Sequence, residues 1–245
     1  MPFDELRAIT VVPIAGLKEV CPGDNLPTLL AEVLQAPGSG SPRLEPGDVL
    51  VVTQKVVSKA EGRVRKIDPS DPRAKQRLVE SEAVRVLRRR GDLLITETTH
   101  GFICANAGVD LSNMEEGEAA LLPIDPDRSA RRIRAGLQRE LGVQVGVVIS
   151  DTFGRAWRNG VTDVAIGSAG IVPILDLRGT RDAMERPLTA TTICIVDEIA
   201  SAAELVMGKD RNVPAAIVRG VPSTWLGAGS VVTDVVRSPG EDLFR

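Results

Sequence analysis

Three short stretches carry the residue types from which an anion-handling site is built. In the first, the run Gly146-Val-Val-Ile-Ser150 ends on Asp151, followed by Thr152, Phe153 and Gly154. A carboxylate at the carboxyl end of a buried strand stands where open α/β sheets hold their ligands, and a hard divalent cation takes oxygen donors of this kind. The same Asp would equally serve to cap a turn or the next helix. In the second, Asn106-Ala-Gly-Val-Asp110-Leu-Ser-Asn113 sets a carboxylate and two amides in a glycine-containing loop behind the strand-like Phe102 to Ala105. If the two loops meet, Asp110 and Asp151 could bridge two metals about 3.5–4 Å apart, a device that grips phosphate oxygens and neutralises charge as a phosphoryl group moves. In the third, Thr53-Gln-Lys55-Val-Val-Ser-Lys59-Ala-Glu-Gly62 follows another strand-like run. A chain that turns helical after Thr53 puts Lys55 and Lys59 on one face, where two ammonium groups suit a polyphosphate. The plainer alternative is a solvated helix face with Glu61 nearby.

Familiar nucleotide fingerprints are missing. No Gly-x-x-x-x-Gly-Lys-Ser/Thr occurs, because Gly208-Lys209 is followed by Asp210, and Gly227-Ala-Gly229 lacks the third glycine of a dinucleotide loop. Asp151-Thr-Phe-Gly154 has the look of a kinase metal loop, but no glycine-rich kinase loop accompanies it. The one histidine, His100, lies among Thr98, Thr99 and Gly101 and reads as a turn or hydrogen-bonding residue. With a single His and no Tyr, few general acids or bases are on offer. A reaction run by metals and positioning fits better than a Ser/His/Asp hydrolase.

These residues need a scaffold, and the composition supplies one. A chain of 245 residues, 43% hydrophobic and 26% charged, is soluble and buries a sizeable core as one domain or two intimate lobes. A net charge of −3 gives no global basic field for nucleic acid or an anionic membrane, and 2% aromatics leave few stacking platforms. The partner is therefore expected to be small and charged. Strands are predicted at Asp48 to Thr53, Asp92 to Thr96, Val143 to Ile149, Thr192 to Val196 and Ala215 to Val218, all short and β-branched. They imply a buried, partly parallel sheet. Asp71 with Pro72 opens a charged helix predicted to run toward Arg90, and Asp127 precedes Ala130, Ile133, Leu137 and Leu141 at helical spacing. A third helix is predicted from near Asp197 to a stop at Gly208, and Pro37 to Pro46 reads as an exposed loop. Three scattered cysteines form no zinc or disulfide pattern, no apolar run nears about 18 residues, and the start Met-Pro-Phe-Asp-Glu is no leader, so the chain is expected to be cytoplasmic.

The same segments, in order, resemble the coenzyme F420 γ-glutamyl ligase family. The likeness rests on Val12-Pro-Ile-Ala-Gly16, Val52 to Gly62, Asn106 to Asn113, Ser150-Asp-Thr-Phe-Gly-Arg-Ala-Trp-Arg158, Asp197 to Gly208 and Ala215-Ala-Ile-Val-Arg-Gly220, and the middle three are the specific ones. The resemblance implies an α+β fold of mixed β-sheets flanked by helices, in an intertwined homodimer, with one ligase domain over 1–245; some actinobacterial relatives carry a nitroreductase-like domain after it, which is not expected here. It implies GTP-dependent addition of L-glutamate to coenzyme F420-0, the first to its lactyl carboxylate and later ones γ-linked, with release of GDP and phosphate. By the same resemblance Asp110, Asp151 and Thr152 match ligands of two divalent cations, Mg or Mn, beside a monovalent K ion, and Asp210 is a further oxygen donor for the second metal. Val12, Pro13, Ile14, Ala15, Gln54, Lys55, Lys59 and Asn113 match the GTP site, with Gly208, Lys209 and Asp210 on another nucleotide-contacting stretch. Many relatives carry a small hydroxyl residue where this chain has Gln54. Two other functions use the same residues: a non-catalytic nucleotide sensor and a metal-dependent phosphohydrolase.

Overall fold

The β-branched runs become the middle of a five-stranded sheet. The computed structural model describes residues 8–36 and 42–243. Its strands are β1 (Thr10–Ile14), β2 (Val49–Thr53), β3 (Val64–Lys66), β4 (Ala83–Arg90), β5 (Leu93–Thr98) and β6 (Ile103–Ala105). They continue with β7 (Glu118–Ala120), β8 (Gly146–Gly154), β9 (Val161–Ala169), β10 (Ile174–Asp176), β11 (Thr192–Cys194) and β12 (Ala215–Arg219). The helices are α1 (Leu26–Gln35), α2 (Gln54–Ala60), α3 (Ala74–Glu82), α4 (Pro126–Leu141) and α5 (Ile195–Met207).

The main sheet has the order β1-β12-β2-β8-β9, and only β2 and β8 run parallel. Val49, Leu50, Val51 and Val52 are all fully buried at consecutive positions, which requires cover on both faces of the sheet. Smaller sheets, β3-β7, β4-β5-β6 and β10-β11, lie around it. The fold class is therefore α+β with mixed sheets flanked by helices.

Local chemistry sets the helix ends. Asp125 caps α4 by accepting from the Arg128 amide at 2.8 Å, Pro126 opens the first turn, and Gly142 closes the helix at φ 71°. Asp127, which the sequence placed ahead of this helix, lies inside its first turn. Its carboxylate accepts from the amides of Ser168, Val231 and Val232 and from Ser230 Oγ, tying α4 to β9 and to the helical turn Val231–Val235.

Several expectations need correction. The helix predicted toward Arg90 stops at Glu82, and Ala83–Arg90 is a strand paired with β5. Alternating Val84, Val86 and arginines suit a strand once a partner edge exists, and that edge outweighs their weak helical preference. The strand predicted over Val143 to Ile149 starts at Gly146 and runs on to Gly154, so Asp151 lies within a strand. The Thr192 strand ends at Cys194, because α5 begins at Ile195 and continues to its stop at Gly208. Residues 37–41 of the predicted loop lie outside the described residues.

Candidate active site

Parallel pairing of β2 with β8 brings two chain departures to one end of the sheet, with Thr53 beside Ser150. From there β2 turns directly into α2, whose Lys55 and Lys59 face the same cleft, one helical turn apart. Strand β8 continues as Asp151 and Thr152, and β9 returns antiparallel with Asp163 opposite Thr152. A bulge between Ile149 and Ser150 shifts the β8–β9 register just before these residues, a place where such irregularities re-aim side chains. The loop after α5 reaches the same end because the Thr53 amide donates to Pro214 O at 2.9 Å. Asp110 arrives from a different sheet: it bridges to Ala120 on β7, and β7 pairs with β3 just beyond α2.

The resulting pocket is lined by Lys55, Lys59, Asp110, Asn113, Asp151, Thr152, Gly208 and Lys209 among the residues singled out in the sequence. Residues at 17–20, 53, 54, 56, 112, 150, 163 and 212–214 complete the wall. Asp110 and Asp151, 41 positions apart by their numbers, therefore share one cleft. Val12, Pro13, Ile14 and Ala15 are not in the wall; β1 holds the first three against β12, and Leu17 to Val20 take that side of the pocket. Asp210 is exposed and also outside the wall. Gln54 contributes to the lining, but its amide is committed inward, donating to Leu121 O at 2.8 Å and to Ser58 Oγ at 2.6 Å.

All but one of the Asp and Lys charges described here have an answer. Lys55 Nζ lies 3.0 Å from Asp110 Oδ2 and also contacts Ser112. Burial works to raise the Asp110 carboxyl, but hydrogen bonds from Ser112 and the Lys55 ammonium outweigh it and hold the group below the usual carboxylate range. Lys59 pairs with the exposed Glu19. Lys209 reaches Thr152 Oγ1 and lies 3.4 Å from Asp163 Oδ1, while its carbonyl accepts from the Asn113 amide at 3.3 Å. Asp151 is the outlier. Burial first, and then the like charges of Asp110 and Asp163, push its carboxyl up to about 7, against only the Thr152 amide and Lys209 in the other direction. Its field adds to the burial that pushes the neighbouring Cys104 thiol up to about 12.

Asp163 and Ser112 are cleft positions the sequence did not yield. Asp163 is fully inside a strand and is signalled only by the β8–β9 register, which no local pattern announces. His100 stays outside the pocket, bonding the carbonyls of Pro123 and Ile124 and stacking on Phe102 with ring centroids 5.3 Å apart.

Carboxylate, hydroxyl and ammonium groups facing one cleft at the ends of parallel strands could receive a phosphorylated anion together with hard cations. Among the described residues no three Asp, Glu, His or Cys side chains close around a single point as a cage. Magnesium does not need one: it is commonly held by one or two carboxylates, with phosphate oxygens and water filling the remaining positions. The uncompensated crowding on Asp151 fits such an ion.

Comparison with known proteins assigns the class. A family model described as F420-0:Gamma-glutamyl ligase matches residues 16–220. The chain is 42% identical to the "Coenzyme F420:L-glutamate ligase" of Methanopyrus kandleri, covering 98% of this chain and 99% of that protein. It is 39% identical to the protein of the same name from Methanothermobacter thermautotrophicus, covering 97% and 99%. It is 38% identical to that from Archaeoglobus fulgidus, covering 97% and 96%. The chain belongs to the F420-0:gamma-glutamyl ligase family. No helix among its described residues is long and apolar enough to cross a membrane.

Proposed function

We propose that this protein joins L-glutamate to coenzyme F420-0 at the expense of GTP, the first residue on the lactyl carboxylate and later ones in γ-linkage. The observation that carries the reading is the meeting of Asp110 and Asp151 with Lys55, Lys59 and Lys209 in one cleft, in a chain of this family.

An amide does not form from a carboxylate and an amine in water without activation, because the carboxylate has no leaving group. In the proposed sequence the acceptor carboxylate attacks the γ-phosphorus of GTP, GDP leaves, and the glutamate amine then displaces phosphate from the acyl phosphate. The first step sets anion against anion. Two unit charges 4 Å apart repel by about 4 kcal/mol at an effective dielectric near 20. Lys55, Lys59 and Lys209 supply the opposing charge, each held in the cleft by an acidic partner that a phosphate can replace. Asp110 with Asp151 would hold one divalent cation, and Thr152 would contribute to a second. When bound, such ions supply charge neutralisation on the phosphate oxygens and a fixed line of attack. Asn113 contributes an amide toward the nucleotide, on the same side as the loop at 208–214. Activation thus depends on placement and charge, in keeping with a cleft wall that contains no histidine. The proposal includes a homodimer, a potassium ion and a cytoplasmic setting, of which the first is checked by sedimentation.

The test is incubation with GTP, Mg2+, L-glutamate and coenzyme F420-0, read by mass spectrometry for glutamyl additions and by assay for GDP and phosphate. Omitting each component should stop product formation. Phosphate release without glutamate or acceptor would indicate a phosphohydrolase, and thermal stabilisation by GTP without turnover a sensor; either result refutes the ligase reading.

A further inference from the structure

We propose that Asp163 is a positioning residue: it accepts hydrogen bonds from the Ser150 and Thr152 hydroxyls and thereby turns the lone pairs of the Thr152 oxygen toward a cation. The inference rests on the reading of the cleft as a metal–nucleotide site and extends it to a residue that does not itself need to touch the ion.

Asp163 is 2% exposed, and both of its carboxylate oxygens are engaged. Thr152 Oγ1 donates to Oδ1 at 2.5 Å, and Ser150 Oγ donates to Oδ2 at 3.0 Å. The pairing follows from the sheet. Ser150 and Thr152 are two apart on β8 and so share a face, and the register places Asp163 directly opposite Thr152. The backbone is anchored as well: Ser201 Oγ on α5 donates to the Asp163 carbonyl at 2.8 Å, and the Ala165 amide donates to Asp197 at 2.9 Å.

A hydroxyl has one proton to give. With that proton committed to Asp163, Thr152 Oγ1 can present only lone pairs to the cleft. Lone pairs accept from an ammonium or ligate a metal, and they repel a phosphate oxygen. The Lys209 ammonium reaches Thr152 Oγ1 from the cleft side and lies 3.4 Å from Asp163 Oδ1. Lys209 thus stands where a cation is wanted, tethered to the loop that the nucleotide proposal also uses. Without Asp163 the Thr152 hydroxyl is free to rotate, and for part of the time it would offer its proton to the cleft. Partners that orient a metal ligand in this way are commonly worth 10–100-fold in metal affinity.

Asp163→Asn keeps the shape but replaces one acceptor by a donor, so one of the two hydroxyls must turn outward. Mn2+ titrated into the full chain in the presence of GTP, with free ion followed by electron paramagnetic resonance, gives the readout. We expect the Mn2+ midpoint of Asp163→Asn to rise at least 10-fold, measured at a GTP concentration that saturates each protein. The Mn2+ dependence of turnover should shift by the same factor, with the maximal rate restored at saturating ion. Thr152→Ala should show a similar shift, and the double variant no further loss, because Asp163 acts through Thr152. An unchanged Mn2+ midpoint in Asp163→Asn would overturn the assignment, as would losses that multiply in the double variant, which would make Asp163 a ligand in its own right. Should Asp163→Asn fail to fold, Asp163→Thr, which suits a strand and accepts one bond, is read by the same criteria. Wild-type protein that binds no Mn2+ would refute the metal reading of the whole cleft and this role with it, an outcome seen before any variant is made.

Discussion

Asp151 is held in the cleft at a cost to the folded chain, and replacing it with Asn should make the protein more stable as well as inactive. Its carboxyl is raised from 3.8 to about 7, chiefly by burial and then by Asp110 and Asp163. At about 1.4 kcal/mol per pH unit, that displacement penalises the folded state by about 4 kcal/mol above pH 7; solvent on the cleft side of the half-buried group trims this to about 2–4 kcal/mol. The penalty depends on pH in a definite direction. Below pH 3.8 both states carry the proton and nothing is lost. Between 3.8 and 7 the unfolded chain gives up its proton while the folded chain keeps it, so wild type loses stability as pH rises through that window. Asn carries no charge and retains an oxygen to accept from the Thr152 amide, a bond of 2.8 Å in the wild type. Urea unfolding in the presence of a chelator, at pH 8 and again near pH 4.5, should show Asp151→Asn ahead by about 2–4 kcal/mol at the higher pH and by much less at the lower. Mg2+ with GTP should close the gap by stabilising wild type alone. An advantage that does not change with pH, or a variant weaker than wild type at pH 8, would refute the electrostatic argument.

Three further expectations concern neighbouring parts of the molecule. Lys59→Ala should weaken GTP binding about tenfold by calorimetry while changing stability by less than about 1 kcal/mol, since its resting partner Glu19 is exposed. Gly167→Ala would set a methyl 2.4 Å from the carbonyl carbon of Pro126, against backbone that opens α4; a loss of about 1–3 kcal/mol or more is expected in the urea midpoint. Asp127→Ala strips the acceptor from the amides of Ser168, Val231 and Val232 and should cost at least about 3 kcal/mol, with faster hydrogen exchange at Val231.

Much of the scaffold could be read from local pattern. Strands β2 and β12 sit within a residue of the expected bounds, and α5 ends at Gly208 as its left-handed stop suggests. Local pattern fails where a distant partner decides. Val84 and Val86 leave the helix because β5 offers an edge, and Asp127, inside the first turn that Asp125 caps, bonds amides about 40 and 100 residues away in the chain. The cleft divides in the same way. Lys55, Lys59, Asp110 and Asp151 declare themselves by residue type and loop setting, whereas Asp163 gains its meaning only from a strand register set by the Ile149–Ser150 irregularity. The segment at 12–15 matches by sequence yet stands in β1, and residues 17–20 lie at the cleft in its place.

The position of β12 between β1 and β2 has a consequence for how the molecule is made. Strands β1 and β2 are joined only through β12, which the ribosome delivers roughly 160 residues after β2, and β2 must wait for β8, roughly a hundred residues further on. Nascent or prematurely terminated chains should therefore expose unpaired strand edges and lack any assembled cleft, which makes translation to beyond Arg219 the event that switches the protein from aggregation-prone to competent.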